Sequence, residues 1–249
     1  MSASDRPDPV RERDLFAIYC GLYDASCAIW ARTGDPDYPH RKIGSGTVCR
    51  WRGDWYVLTA AHVVERVPSR DVVLSLCMGG IAIITDTWRP GLPDPREVDE
   101  GDVTIFRIEL PDLPEGTELS YVDIDMQTGP PDEYREHDTL VVSGFPGDAQ
   151  EVDYVDGVTH VTPTAVCIPA EVVDVGTTPH CVKIRCLATL NLSSAGGLSG
   201  SPVFMWRGMH FWFAGMLTMG VFSETMVGYM IASEPLRSAF RAIETATDL

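Results

Sequence analysis

The sequence predicts an all-β protein in two halves, followed by a C-terminal helix. Short apolar or alternating runs recur along most of the chain and are separated by turn-forming residues, a pattern typical of sandwiches and barrels. A stretch rich in proline, glycine and acidic residues, 111–136, divides these runs into two sets. With 249 residues and 45% hydrophobic content, the chain can bury a sizeable core, which excludes the disordered and fibrous classes.

The first half is predicted to span residues 14–110, after a polar and charged leader at 1–13 that we expect to be flexible. Its predicted strands are short and apolar or alternating, and they lie at 14–19, 28–32, 46–52, 55–59, 72–76, 81–85 and 103–108. We interpret 111–136 as the linker between the halves, with one short strand at 121–124.

The second half is predicted to span residues 137–232, with strands at 139–144, 164–173, 181–187, 201–206, 212–218 and 228–231. The acidic stretch 148–156 is predicted to be a solvated loop, because its spacing matches no calcium loop of the EF type. The tail 233–249 is predicted to be a helix, since Leu236, Phe240 and Ile243 recur at helical spacing after Pro235.

The charge of the chain limits its partners. Lys and Arg number 19 against 36 Asp and Glu, a formal net charge of −17, and the basic residues form no stripe. We therefore expect neither nucleic acid nor an anionic membrane as a partner, whereas a basic substrate segment would be attracted. No apolar run reaches the ~20 residues that span a bilayer, and the N-terminus has no signal-peptide core, so we expect a cytoplasmic protein.

Cysteine usage agrees with that compartment. The chain has 7 cysteines, an odd number, and they are widely scattered. This argues against a disulfide framework, so we expect reduced, mostly buried thiols. His180, Cys181 and Cys186 are near one another in the sequence, but they lie on an alternating apolar segment without a second ligand pair. We interpret them as core residues and predict neither a metal site nor a cofactor.

Three segments carry residues suited to catalysis. A β-rich run from Trp55 ends in small residues and delivers His62 at a strand end, where a neutral imidazole can act as a general base. Asp102 opens an apolar strand, and a partly buried carboxylate needs a donor such as an imidazole N–H. Ser199 lies between glycines that allow a tight loop with amides pointing at one oxyanion. Each has an ordinary structural interpretation alone, but the three together are a strong signal.

In these segments the sequence resembles the chymotrypsin-like (trypsin-fold) serine peptidases. Thr-Ala-Ala-His62 is similar to the family's histidine motif, Asp102-Val-Thr-Ile-Phe to its aspartate motif, and Gly-Leu-Ser199-Gly-Ser-Pro to its serine motif. The resemblance extends from about residue 14 to the final helix. It implies two packed six-stranded antiparallel β-barrels, with the site in the cleft between them.

The resemblance also implies a role for each site residue. Ser199 is the expected nucleophile, His62 its general base and Asp102 the group that orients the imidazole. The amides of Gly197 and Ser199 are expected to form the oxyanion hole. Thr218 falls where family members carry a residue that hydrogen-bonds the catalytic aspartate.

Substrate binding is expected on the second half of the chain. By the same resemblance, the pocket floor, the pocket walls and the backbone that pairs with an extended substrate come from Ser193, Ser194, Thr218, Met219, Gly220 and Val227. No acid stands at the floor position, so we expect a neutral pocket for small or medium apolar side chains. A lateral approach of Glu224, favouring a basic residue, is the weaker alternative.

Departures from the secreted members of that family are informative. Val63 and Ala195 stand where those members have cysteines, which agrees with a reducing compartment. Leu198 replaces the aspartate that pairs with a freed N-terminal amine, so that ion pair cannot form. The pattern is closer to HtrA-like and other bacterial-type members, but without a PDZ domain, since the chain ends one helix after the second half.

Two hypotheses for the ordering of residues 193–197 stay open at this point. An activating partner, a larger assembly or the substrate itself sets the loop, or the loop is formed constitutively. We expect a serine endopeptidase that works through an acyl-enzyme, a regulated intracellular protease that cuts one or few partner proteins. Bacterial-type members of the resembled family include proteases of antiviral defence and cell-death pathways.

The alternative function is a catalytically silent module of the same fold that binds a peptide or partner protein. The filled triad positions argue against it, because loss of any one would suffice for inactivity. An α/β-hydrolase is excluded, because Ser201 occupies the fifth position of the Gly-x-Ser-x-Gly motif that this class requires.

Overall fold

The computed structural model describes residues 22, 24–77, 79–90, 101–113, 115–125, 134–147, 150–155, 158–175, 180–187, 196–207, 210–221 and 227–247. Strands β1 to β7 are Ser26–Arg32, His40–Trp51, Asp54–Thr59, Val72–Leu76, Ile81–Trp88, Thr104–Glu109 and Val122–Asp123. Strands β8 to β15 are Thr139–Gly144, Gln150–Val155, Val158–Pro163, Val166–Asp174, Cys181–Cys186, Pro202–Arg207, His210–Val221 and Val227–Ala232. Helix α1 is Ala61–Val64 and helix α2 is Ser233–Thr247.

The first six strands form a closed antiparallel barrel. Their order is β1-β4-β5-β6-β3-β2, and pairing of β1 with β2 closes the circle. Alternate residues face inward, so Ile29, Val57, Leu74 and Phe106 meet in one buried cluster. The two-residue β7 adds to β2 in parallel outside the barrel.

The second barrel repeats this architecture with β8, β11, β12, β15, β14 and β13 in a closed circle. Leu140, Ile168, Ile184, Val203 and Met230 belong to its buried core. The prediction of an all-β fold with two six-stranded barrels and a final helix is therefore confirmed.

Most strand predictions agree with the structure, and two of them match residue for residue, at 72–76 and 139–144. Strands β2 and β14 are longer than predicted, and the strand expected at 121–124 is reduced to Val122–Asp123. The strand predicted at 14–19 lies outside the described residues.

The loop prediction for 148–156 is wrong where the structure describes it. Gln150–Val155 forms β9, which pairs with β10 in a separate two-stranded hairpin. In the sequence, the acids alternate with Val152 and Tyr154, and valine and tyrosine favour extended backbone. The loop prediction is based on the acidic residues and does not take this alternation into account.

Buried cysteines occur on strands of both barrels. Cys27, Cys49 and Cys186 are buried free thiols. Burial raises the pKa of the Cys186 thiol to about 11 and that of Cys27 higher still. Both thiols are thus protonated at neutral pH, which makes them poor nucleophiles.

Helix α2 follows the second barrel and packs on both barrels. Phe240 stacks on Trp51 with ring centroids 5.6 Å apart and meets Tyr56 edge-on at 5.0 Å. Glu244 accepts a hydrogen bond from Trp51 Nε1 at 2.9 Å and pairs with Arg52 at 2.8 Å. The helix therefore links the two barrels. Neither α2 nor any other described helix has the length and apolar character to cross a membrane.

We expect Phe240→Ala to lower the free energy of unfolding by about 3–5 kcal/mol, because it removes a buried ring from the contact between the helix and the first barrel. Chemical denaturation measures this loss. Arg241→Ala on the same helix is the control, since among the described residues the Arg241 side chain forms only an exposed pair with Glu234, of the kind that contributes at most about 1 kcal/mol. Equal losses for the two variants would contradict the packing described.

Candidate active site

His62 is presented at the end of a core strand. β3 ends at Thr59, and the short helix α1 then carries His62, held by the buried side chains of Val63 and Val64. The His62 side chain is 48% exposed, so one side of the imidazole faces solvent while its helix is fixed to the core.

Asp102 meets His62 through two hydrogen bonds. β3 and β6 are neighbours in the first barrel, with Thr59 opposite Thr104, so the residues just beyond these two strand ends are close. Asp102 Oδ2 lies 2.6 Å from His62 Nδ1, and Oδ1 accepts the backbone N–H of His62 at 2.8 Å. One carboxylate thus fixes both the ring and the backbone of the histidine.

This contact also sets the protonation state of the imidazole. An ionised carboxylate can only accept, so Nδ1 carries the hydrogen and Nε2 is the free base. The hydrogen bond that His62 donates to Asp102 raises the pKa of His62 above its usual 6.5. The charges of Asp102 and Glu65 act in the same direction, and partial burial opposes them. The arrangement suits a group that takes up a proton during a reaction.

Ser199 lies beside the histidine helix because Gly44 has no side chain. A Cβ on Gly44 would lie 2.5 Å from Val63 Cγ1 and 3.3 Å from the Ser199 carbonyl oxygen. The backbone N–H of Ser45 donates to that carbonyl at 3.0 Å. Among the described residues no hydrogen bond joins Ser199 to His62, and such bonds are often long in free enzymes.

The peptide groups around Ser199 leave two N–H donors free. We call residues 196–200 the serine loop. The Gly196 carbonyl accepts a hydrogen bond from the Gly147 N–H, and the Leu198 carbonyl accepts one from the Ser201 N–H at 3.0 Å. In a trans peptide, the C=O and N–H groups point in opposite directions, so the N–H groups of Gly197 and Ser199 point away from these partners. Neither N–H is hydrogen-bonded within the part of the chain that is described.

Two such free donors beside a serine are what an oxyanion hole requires. The position of Gly197 admits no side chain. Its φ is +96°, and a Cβ there would lie 2.7 Å from the Phe145 carbonyl oxygen and 2.8 Å from Gly147 N. We call residues 145–147, which lie against the serine loop, the backing segment.

An open strand edge lies next to Ser199. β13 begins at Pro202 opposite Met216, so residues 218–221 of β14 pair only with β15 among the described strands. Gly200 donates to the Leu217 carbonyl at 2.7 Å, which places this edge beside the serine loop. An extended peptide can add there as a further strand.

The structure separates the predicted substrate residues into two groups. Thr218, Met219 and Gly220 lie on β14, and Val227 opens β15 opposite Val221. The expected pocket floor, Ser193 and Ser194, and the lateral acid Glu224 lie outside the described residues.

Thr218 has a different hydrogen-bond partner from the expected one. Its hydroxyl donates to the Tyr229 carbonyl at 3.3 Å, whereas Asp102 is engaged by His62. The register of β14 against β15 shifts between Leu217 and Met219, which places Thr218 in a bulge. A bulge re-aims its side chain, and this explains the change of partner.

Some residues of the site escaped the sequence analysis. Gly44 and Ser45 bring β2 against the serine loop, and Phe145 and Gly147 form its backing. A signal was present, because Gly46 opens the predicted strand 46–52 and Gly44 stands two residues before it, and glycines at a strand mark a close approach of backbones.

Solved structures with the same architecture cover nearly the whole chain. An inactive form of a serine-to-alanine mutant of Rv3671c from M. tuberculosis H37Rv matches with a TM-score of 0.56 at 15% identity, over 96% of this chain and 95% of that one. Human heparin binding protein gives 0.61 at 12% identity, over 89% and 92%. The serine endoprotease from Yersinia pestis gives 0.58 at 14% identity, over 97% and 67%.

The chain has the chymotrypsin-like serine protease fold. At the level of sequence, neither a protein-family profile nor a curated protein matches it. One of the neighbours with this fold is named for binding heparin rather than for proteolysis. Whether a protein with this protease fold is an enzyme therefore depends on its site, not on its architecture.

We expect Asp102→Asn to lower the pKa of His62, because it removes both the strongest cause of the rise and a negative charge. An NMR titration of the imidazole measures the shift. Glu65→Gln is the matched control and should lower the pKa by a smaller amount, since Glu65 acts only through its charge. The ability of His62 to accept a proton is lost as the pH drops through this pKa, and the Asn variant would move that loss to lower pH. An unchanged His62 pKa in Asp102→Asn would contradict the contact.

We expect Gly197→Ala to lower the free energy of unfolding by about 2 kcal/mol or more, because backbone atoms at 2.7 and 2.8 Å must move and φ is positive. Gly34→Ala is the control, since its φ is +77° but a Cβ there meets nothing within 4 Å. That variant should lose only about 1 kcal/mol. Chemical denaturation compares the two, and equal losses would show that the backing segment does not constrain Gly197.

Proposed function

We propose that the protein is a serine endopeptidase that hydrolyses peptide bonds in protein or peptide substrates through an acyl-enzyme at Ser199. One observation carries the proposal. The 2.6 Å contact between His62 and Asp102 leaves Nε2 as a free base, on a helix that lies beside Ser199, and the loop of that serine offers two N–H donors without a partner among the described residues. The fold neighbours that are named as proteases support it.

Acylation begins when Ser199 Oγ attacks the substrate carbonyl carbon. His62 Nε2 takes the hydroxyl proton, and Asp102 stabilises the imidazolium that results. The carbonyl oxygen becomes an oxyanion and accepts hydrogen bonds from the N–H groups of Gly197 and Ser199, each donor being worth about 10²–10³ in rate. His62 then gives its proton to the leaving amine as the C–N bond breaks.

Deacylation repeats these steps with water. His62 takes a proton from the water, the hydroxide attacks the ester carbon, and the acid product leaves as the proton returns to Ser199 Oγ. The substrate is held as an extended strand on the open edge at residues 218–221, and pairing along such an edge uses the peptide backbone and requires neither end of the substrate chain. This geometry favours an endopeptidase.

The choice of substrate and the cellular setting belong to the same proposal. We infer a regulated intracellular protease that cuts one or few partner proteins, in a compartment where its thiols stay reduced. The buried free thiols of Cys27 and Cys49 support the reducing compartment. The net charge of −17 favours substrate segments that are basic around the cleaved bond.

We expect a fluorophosphonate probe to label the purified protein once per chain, at Ser199, because the probe requires an activated serine and an oxyanion hole. Intact mass and peptide mapping measure the adduct. Ser199→Ala should lose the label completely, and His62→Ala should lose nearly all of it.

Ser201→Ala is the matched control for this labelling. Ser201 is a fully buried serine two residues further on, and its hydroxyl has no hydrogen-bond partner among the described residues. Its removal should leave labelling unchanged. A folded protein with no label at Ser199 would contradict the proposal and favour a protein of this fold that binds a peptide or partner without cleaving it.

A further inference from the structure

Leu198 cannot form an ion pair with an N-terminal amine, so other contacts must hold the serine loop. The Leu198 side chain is fully buried in the core of the second barrel, together with Val203 and Leu217. This apolar anchor fixes the middle of the loop from one side. It does not by itself fix the peptide planes of Gly196 and Gly197, because a side chain in a core leaves its neighbours' torsions free.

Ser45 contacts the loop from the other barrel. It is fully buried on β2, and its hydroxyl accepts the backbone N–H of Phe145 at 2.9 Å and donates to the Gly197 carbonyl at 2.6 Å. Its own N–H donates to the Ser199 carbonyl at 3.0 Å. A hydroxyl has one hydrogen to donate, and here it is used on the loop while a lone pair is used on the backing segment.

We propose that Ser45 is a positioning residue that sets the serine loop in the conformation able to bind an oxyanion. The proposal rests on the proposed function and adds that the first barrel orders the oxyanion hole of the second. It favours a loop formed within this chain over one that waits for a partner.

Ser45 fixes the distance between the backing segment and the serine loop, because one oxygen atom bonds to both. At that distance Gly147 N–H reaches the Gly196 carbonyl, and this bond turns the Gly197 N–H outward. Without the hydroxyl, Phe145 N–H and Gly197 C=O lose their partners. A buried unpaired peptide group favours any rearrangement that pairs it again.

A second contact from β2 supports the same segment. The Lys42 ammonium donates to the Pro146 carbonyl, between the two backing residues that touch the loop. Lys42 and Ser45 thus approach the backing segment from one strand of the first barrel. The backing segment is therefore contacted both by the serine loop and by β2.

Ser26 offers a matched control on the same interface. It is also fully buried, and its hydroxyl lies 3.1 Å from the Ser143 carbonyl oxygen and 3.0 Å from the Ser143 hydroxyl. This contact joins β1 to β8 without touching the serine loop. Ser26→Ala and Ser45→Ala therefore delete the same group from the same interface, and only the second reaches the loop.

Hydrogen exchange tests the positioning role without requiring activity. In Ser45→Ala we expect faster exchange in peptides covering 145–147 and 196–201 than in the wild-type chain, with the rest of both barrels unchanged. In Ser26→Ala these peptides should exchange as in the wild type. Equal exchange of both segments in Ser45→Ala and wild type, or an equal rise in both variants, would overturn the proposal.

The rate of fluorophosphonate labelling tests the consequence for chemistry. In Ser45→Ala the maximal rate constant of labelling should fall about tenfold to a hundredfold, somewhat less than for loss of a whole oxyanion donor, while the concentration for half-maximal rate stays the same. Ser26→Ala should stay within about twofold of the wild type. A wild-type chain that does not label at all would remove the proposed function, and the exchange comparison would still decide the role of Ser45. Wild-type labelling rates in Ser45→Ala would overturn the proposal.

Discussion

The two barrels meet backbone to backbone, where β2 touches the serine loop. A Cβ on Gly200 would lie 1.9 Å from the Ser45 carbonyl oxygen, and Gly200 adopts a φ of +92°. Glycine is therefore required at this point of approach. His62 and Asp102 belong to the first barrel and Ser199 belongs to the second. The distances between these three residues therefore depend on this contact. A side chain here would push Ser199 away from His62.

Buried hydroxyls hold the barrels at that distance. Thr47 donates to the Gly200 carbonyl at 3.1 Å and Ser26 to the Ser143 carbonyl at 3.1 Å, and both of these side chains are fully buried. An apolar interface tolerates small sliding, because dispersion contacts are not directional, whereas each of these groups loses its partner if the barrels shift. These hydrogen bonds thus favour one placement of the two barrels relative to each other. A catalytic site needs this, because errors of about 1 Å in position can cost a hundredfold in rate.

The fold persists in proteins that share only 12–16% of their residues with this chain. A barrel core requires apolar residues at alternate positions but few particular ones, so Phe106 or Leu140 can be exchanged for residues of similar volume. The proposed site is stricter, since the roles proposed for His62, Asp102 and Ser199 require particular atoms. Leu198 differs from both the core and the site residues. It is an apolar anchor where the resembled family has a charged residue, and a hydrogen bond from β2 contacts the loop beside it.

The sequence by itself determined the strand pattern, the final helix and the candidate triad. These depend on alternation, on helical spacing and on short motifs, all of which are local and can be recognised without coordinates. Local charge obscured the alternation of β9, and local sequence assigned Thr218 a partner that a bulge changes. Only the tertiary structure brought Ser45 to Gly197, because 152 positions separate them and nothing in either segment encodes the other. Their contact results from the packing of two closed barrels, and packing depends on the whole chain.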